Sequence, residues 1–200
     1  MGACDTGEVS GPNQLRLDPD HRRRQLLDVA SRCMSEHGFD VSLDDVAHAA
    51  EVSRQLVRHY FKNRQGLLQA LTDRAVEDLE GIFLDPAGGG LDDRLGSYLD
   101  WISTDRWAHW VWMASAGRVQ ANDFTSTRRA LAEATAGKRL KDMTVRERVR
   151  ANAWIGVIET TITNWLLDDC AARDEVLAGL LDIASRLGVV GASMGDQALA

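Results

Sequence analysis

The sequence predicts an all-α fold, with a small N-terminal unit of three helices followed by a larger helical body. Three observations lead there. Apolar residues recur three and four positions apart along nearly the whole chain, the spacing of a buried helical face. Runs alternating at period two, the mark of a half-buried strand, are few. Proline occurs only at Pro12, Pro19 and Pro86, so long stretches lack the residue that most strongly interrupts a helix.

Residues 1–17 are rich in Gly, Asp, Ser and Asn without periodicity and read as a disordered arm. The first helix is expected to open at Asp18-Pro19, a capping residue followed by a first-turn proline. Leu26, Ala30, Cys33, Met34 and His37 share one of its faces, and Gly38 ends it. A short helix follows from Leu43 to about Ala50, capped by Ser42 with Asp45 completing a capping-box pattern. Ser53 caps another, through Tyr60 or Phe61, and Lys62-Asn63 make a turn. A longer helix is expected from about Arg64 to Phe83, and Asp85 to Gly90 read as a flexible loop.

Beyond the loop, Leu91, Leu95, Tyr98 and Ile102 mark a helix, and Trp107 to Ala114 is apolar and tryptophan-rich. A polar-faced helix from Phe124 to Ala136 is stopped by Gly137. Thr144-Val145-Arg146-Glu147 is a capping box that opens a long helix, apolar at Val149, Ile155, Ile158, Ile162, Trp165 and Leu166. A last helix spans about Asp174 to Leu187, and residues 191–200 read as a disordered tail. The expected organisation is therefore an arm 1–17, a helix-turn-helix unit 18–66, a helical body 67–190 and a tail 191–200.

Charge is distributed unevenly. The net charge is -7, which by itself argues against nucleic acid. Yet residues 21–66 carry eight basic and six acidic side chains, whereas residues 67–200 carry 14 and 20. Between Ser53 and Arg64 there are four basic residues (Arg54, Arg58, Lys62, Arg64) and no acid. Two short capped helices joined by a tight turn, with bases on the second, form a DNA-reading arrangement. Val52, Val57 and Phe61 make a plausible buried face, which turns Arg54, Gln55, Arg58 and His59 elsewhere. A surface helix with solvated charges is the alternative reading of the same spacing.

These residues resemble the TetR family of transcriptional regulators. The likeness is carried by Gly38-Phe39, Ser42-Leu43-Asp44-Asp45-Val46-Ala47, Val52-Ser53-Arg54, Tyr60-Phe61 and Lys62-Asn63-Arg64-Gln65-Gly66-Leu67-Leu68, about a quarter of the chain. It departs from the family where Glu51 stands in place of the usual turn glycine, and where Arg58 replaces the usual tyrosine of the reading helix. Arg64 replaces the usual lysine at the start of the fourth helix, and the loop from Gly38 to Ser42 is one residue shorter than common. The resemblance implies that Arg54, Gln55 and Arg58 meet base edges. It implies that Ser42, Ser53, His59, Tyr60 and Arg64 meet phosphates, with Lys62 a longer-range phosphate partner. Arg22 to Arg24 either touch the DNA backbone or form a solvated run.

All six tryptophans lie beyond residue 100. Regulators of this family hold a small-molecule site among their middle helices, and the resemblance implies one here. Candidates are Tyr98, Trp101, Arg106, Trp107, His109, Trp110 and Met113, the rings otherwise serving as core. The implied effector is largely apolar. The last two helices carry wide apolar faces, Ile155, Ile158, Ile162 and Trp165 on one and Val176, Leu177, Leu180, Leu181 and Ala184 on the other. Such a hairpin is expected to pack against a second copy, giving a homodimer on double-stranded DNA. Burial within one subunit is the other reading, and Glu159 either pairs across the dimer or faces the pocket.

The function expected is a ligand-responsive regulator, acting as a repressor. A DNA-binding dimer with no effector is the first alternative. A helical enzyme is the second, but no His-Glu-x-x-His, Gly-x-Ser-x-Gly or phosphate loop is present, and the five histidines form no ligand spacing. No cofactor or metal is expected. Three cysteines (Cys4, Cys33, Cys170), without a CxxC pair, fit a reducing compartment. With no apolar run of about 18 residues and no signal-like start, no membrane partner and a cytoplasmic location are expected.

Overall fold

The computed structural model describes residues 18–115, 121–168 and 171–189. Among them are nine α-helices and no strand. The helices are α1 (Pro19–His37), α2 (Leu43–Ala49), α3 (Arg54–Phe61), α4 (Arg64–Leu84), α5 (Leu91–Thr104), α6 (Arg106–Ser115), α7 (Ala121–Ala136), α8 (Val145–Asp168) and α9 (Arg173–Leu187). The expected arm 1–17 and tail 191–200 lie outside the described residues. No described helix is long and apolar enough to cross a membrane.

The ends of these helices follow from their caps. Gly38 closes α1 at φ 68, and the Trp107 ring lies 3.9 Å from where its Cβ would stand. Ser42 and Asp45 form the expected capping box. Ser53 accepts from the Leu56 N–H at 3.2 Å, and Asn63 Oδ1 accepts from Gly66 N–H at 2.9 Å. At the start of α8, the Thr144 N–H and hydroxyl both donate to Glu147. These bonds hold the Glu147 carboxyl at about 2, well below the usual carboxylate range. Gly188 ends α9 in the left-handed region. Short 3₁₀ turns at Gly38–Asp40 and Leu140–Asp142 were not expected.

Two apolar cores organise the chain. The N-terminal core joins Leu26, Leu27 and Met34 of α1, Val46 of α2, Val57 and Phe61 of α3, and Leu67 and Leu71 of α4. The second core contains Leu79 of α4, Leu95 and Ile102 of α5, Trp112 of α6, Trp154 and Ile162 of α8, and Leu180 of α9. The boundary expected at 66/67 therefore does not separate two bodies. The first half of α4 closes one core and its second half enters the other. α6 also contributes to both, because Val111 joins the N-terminal core, with Trp107 packed against it, while Trp112 joins the second.

A polar seam accompanies this shared packing. Ser31 of α1 donates to both Asp105 carboxylate oxygens at 2.7 Å. Arg74 of α4 lies 2.6 Å from Asp28 of α1 and 3.5 Å from Asp105. Asp105 also accepts the Ala108 N–H at 3.1 Å, capping α6. One carboxylate thus ties the start of α6 to α1 and α4. Exposure corrects two positions: His37, expected on the buried face of α1, has a side chain 62% exposed, and Val149 of α8 is 62% exposed.

Candidate functional site

The face of α3 is set by what it buries. Val57 and Phe61 enter the N-terminal core, and the exposed side then carries Arg54, Gln55, Arg58 and His59. Tyr60 is half-buried, its ring edge-on to His59 at 5.4 Å. The turn entering this helix places Glu51 at φ 53, and the turn leaving it places Lys62 at φ 60. The family's glycine position thus keeps its left-handed backbone although a glutamate occupies it.

Several residues expected to meet phosphate are already engaged. The Ser42 N–H and hydroxyl both donate to Asp45 Oδ2, at 2.8 and 2.7 Å. Both Ser42 donors are thus directed at the cap of α2. The same two bonds hold the Asp45 carboxyl below its usual value. Arg64 donates through Nε to the Val41 carbonyl at 3.2 Å and through Nη2 to the Phe39 carbonyl. It braces the turn after α1 while remaining exposed. Ser53 only accepts within its cap, so its hydroxyl proton remains available. Arg54 pairs with Asp44 of α2 at 2.7 Å. Arg22 bonds Gln25 at 2.8 Å, and Arg23 lies over the Phe61 ring, 5.9 Å from its centroid.

The second core encloses a cavity of about 20 Å³, bounded by Leu79, Phe83, Tyr98, Trp112, Leu131, Thr135, Ile155, Ile158 and Glu159. That is room for roughly one water molecule. Tyr98 lines it, whereas Trp101, Arg106, Trp107, His109, Trp110 and Met113 do not bound this cavity. Trp107 packs edge-on against Phe39 at 5.3 Å, under the N-terminal core. His109 is fully buried, bonded to Tyr98 through Nδ1 at 3.2 Å and to Thr163 through Nε2 at 3.1 Å. Burial pushes its pKa down to about 4. Trp101, Trp110 and Met113 pack against the second core, with Trp101 Nε1 donating to Asp78 at 3.0 Å. Arg106 donates to the Leu166 carbonyl and lines a separate cleft of about 210 Å³ with Ser103, Trp165 and Leu166.

Sequence reasoning missed Phe83 and Trp112 at the cavity wall; for Glu159 it left the cavity and the dimer both open, and the structure places it at the cavity. Periodicity shows that such residues turn inward, and not which of two cores they face. Glu159 meets Arg128 of α7 at 2.8 Å, and burial raises its pKa against the lowering effect of that arginine.

The residues expected at a dimer interface also need correction. Ile155, Ile158, Ile162, Val176, Leu180 and Ala184 are all buried within the chain's own second core. Trp165, Leu177 and Leu181 are half-buried, and Trp165 Nε1 donates to the Ala171 carbonyl at 2.9 Å. The most apolar face of α8 meets its own subunit. Its outward side carries Val149, Ala153, Gly156, Thr160, Asn164 and Leu167.

Residues 26–71 match the family model described as "Bacterial regulatory proteins, tetR family". The chain is 34% identical over 101 residues to the HTH-type transcriptional repressor Rv1474c of Mycobacterium tuberculosis, over 44% of this chain and 51% of that protein. It is 42% identical over 50 residues to the HTH-type transcriptional regulator BetI of Klebsiella pneumoniae, over 24% of this chain and 26% of that protein. The match thus spans about half the length of the first relative and about a quarter of the second. Among solved structures, a tetR-family transcriptional regulator from Streptomyces coelicolor superimposes with a TM-score of 0.70 at 27% identity, covering 86% of this chain and 82% of that one.

Proposed function

From the match of residues 26–71 to the tetR family model and the likeness to a solved tetR-family regulator, we propose that the chain is a TetR-family repressor that binds a near-palindromic operator as a homodimer. A small, largely apolar effector releases it. The observation that carries this reading is the exposed face of α3, where Arg54, Gln55, Arg58 and His59 stand on a helix anchored by buried Val57 and Phe61. Arginine pairs with guanine and glutamine with adenine in the major groove. Ser53, Tyr60, Lys62 and Arg64 supply phosphate contacts around them. One such module binds weakly, so a two-fold dimer presenting two reading helices about one DNA turn apart is the natural unit.

The outer face of α8 supports the dimer. From Ala151 to Leu167 the only charged residue is Glu159, which turns inward to the cavity. Val149 and Leu167 are 62% and 65% exposed, and a Cβ on Gly156 of α8 or Gly179 of α9 would meet nothing within 4 Å. A long uncharged strip with room for close approach suits burial against its own copy.

Release follows as a population shift. An effector entering the second core has to enlarge the cavity between α4, α5, α7 and α8, displacing helices shared with the N-terminal core. Val111 inside that core, Trp107 on Phe39 and the Ser31–Asp105–Arg74 seam carry such a displacement toward α1 and α3. The shift cannot exceed the effector's differential affinity for the two states. A dimer without an effector is a second reading, in which the cavity of about 20 Å³ beside Tyr98 stays closed.

Binding of the purified chain to fragments of its source genome, measured against salt beside an Arg58→Ala variant, tests the reading. Tight, salt-sensitive selection of a few near-palindromic fragments that the variant loses is expected. Equal binding to all fragments overturns operator recognition. A thermal midpoint that no member of a broad apolar library moves overturns the effector and leaves the second reading.

A further inference from the structure

We propose that Asp44 is a specificity-determining residue, a carboxylate that pre-orders Arg54 to read a guanine. This rests on the DNA-reading role of α3. The pair spans the two helices of the motif: Asp44 is the second residue of α2 and Arg54 the first of α3. Arg54 Nε stands 2.7 Å from Asp44 Oδ1, with the arginine side chain 68% exposed and the carboxylate side chain 40% exposed. Capping does not account for this carboxylate, because Asp45 performs that role for α2.

The chemistry of the pair follows from which nitrogen is used. A guanidinium has five N–H donors in one plane. The carboxylate sits at the Nε edge of the guanidinium as an ion-pair partner and leaves the two terminal nitrogens, the fork that meets guanine O6 and N7 together. For drawing in phosphate, the pairing is counterproductive, since it sets a negative charge beside one of the few cations on the reading surface. Among the described residues, Arg58 and Lys62 of the same surface carry no ion pair. Arg54 is thus the reading-helix cation held in one orientation at the expense of its net attraction for the backbone. That exchange favours base discrimination over affinity.

The signature is an opposite movement of two quantities. A bidentate arginine contact discriminates one base pair by roughly 5- to 150-fold. Without Asp44, the arginine samples many orientations and reaches neighbouring phosphates. Asp44→Ala is expected to cut discrimination at a single base pair about tenfold. It is also expected to raise affinity for unrelated DNA and steepen the log affinity against log salt slope by roughly 0.9, the value of one added phosphate contact.

The experiment uses the full chain and a fragment it selects from random-sequence duplex DNA, with each position then varied in turn. Arg54→Ala identifies the base pair that Arg54 reads. Asp44→Ala is expected to lose preference at that same pair, and to change it no further in the Arg54→Ala background. Unchanged preference in Asp44→Ala, or an equal loss in both backgrounds, overturns the proposal while leaving operator binding intact. A uniform drop at all positions with a lowered thermal midpoint assigns Asp44 a merely structural role and also overturns it. If the wild-type chain selects no sequence, the reading of α3 fails and the proposal falls with it.

Discussion

Gly66→Ala tests how the reading helix is joined to the rest of the molecule. Gly66 is the third residue of α4, and its backbone is ordinary helix, so a left-handed φ is not why glycine stands there. The reason is contact. A Cβ added to it falls on the Phe61 carbonyl oxygen, far inside van der Waals distance, and 3.2 Å from the carbonyl carbon. Both partners are backbone, so no side chain can swing away. To make room, the start of α4 has to retreat from the end of α3, pulling on the Asn63 cap that Gly66 supplies through its N–H at 2.9 Å. Overpacking of this kind costs about 1–3 kcal/mol, and a weakened cap adds up to about 1 kcal/mol. The better helix propensity of alanine returns about 1 kcal/mol. The net expectation is a loss of about 2 kcal/mol, which for a chain of this size lowers Tm by about 4–8 °C. Thermal unfolding by circular dichroism at fixed protein concentration measures it. A midpoint within about 1 °C of wild type would refute the argument, because it would mean that the two helices part freely.

Three further outcomes are expected. Glu51→Gly relieves a left-handed residue at φ 53. The relief of about 1 kcal/mol is partly offset by the greater freedom of glycine in the unfolded chain, so urea midpoints should rise by the equivalent of about 0.5 kcal/mol; a lower midpoint contradicts the backbone assignment. His109 is held neutral by burial, its pKa pushed down from 6.5 to about 4. The unfolded chain therefore takes up the proton first, and stability falls as pH drops through that window, by at most about 1.4 kcal/mol per unit. Urea titrations from neutral pH to pH 4.5 should show His109→Gln losing this part of the slope, and an identical slope in both proteins rules out the buried imidazole as its source. Gly156→Arg places a charge on the outer face of α8, where a Cβ meets nothing within 4 Å. The variant should fold and sediment as a monomer, and a persistent dimer would move the interface off this face.

Local chemistry was legible along the chain. The sequences Ser42-x-x-Asp45, Ser53 before Arg54, Gly38 and the Thr144 box place helix ends within a residue or two, because a cap depends on neighbours three positions away. The exposed face of α3 was legible for the same reason, since a helix of eight residues with two buried apolar positions has only one outside. Glu51 was singled out only through the family resemblance, which implies a glycine there, and its left-handed φ of 53 belongs to the structure.

The sequence by itself determined that the chain is helical, where most of its helices begin and end, and which short helix offers basic side chains outward. Tertiary structure alone decided which apolar face meets which partner. Periodicity says that Ile155, Ile158 and Ile162 turn one way, but hydrophobic burial has no direction and no label. Only packing shows that they fill their own subunit's core and that Val149, Gly156 and Leu167 are left outside. The same holds for polar groups whose partners are remote. Asp105 finds Ser31 across 74 positions, Arg64 finds the Phe39 carbonyl across 25, and His109 finds Thr163 across 54. A hydrogen bond is specified by orientation and separation in space, and helix periodicity carries neither beyond a single helix.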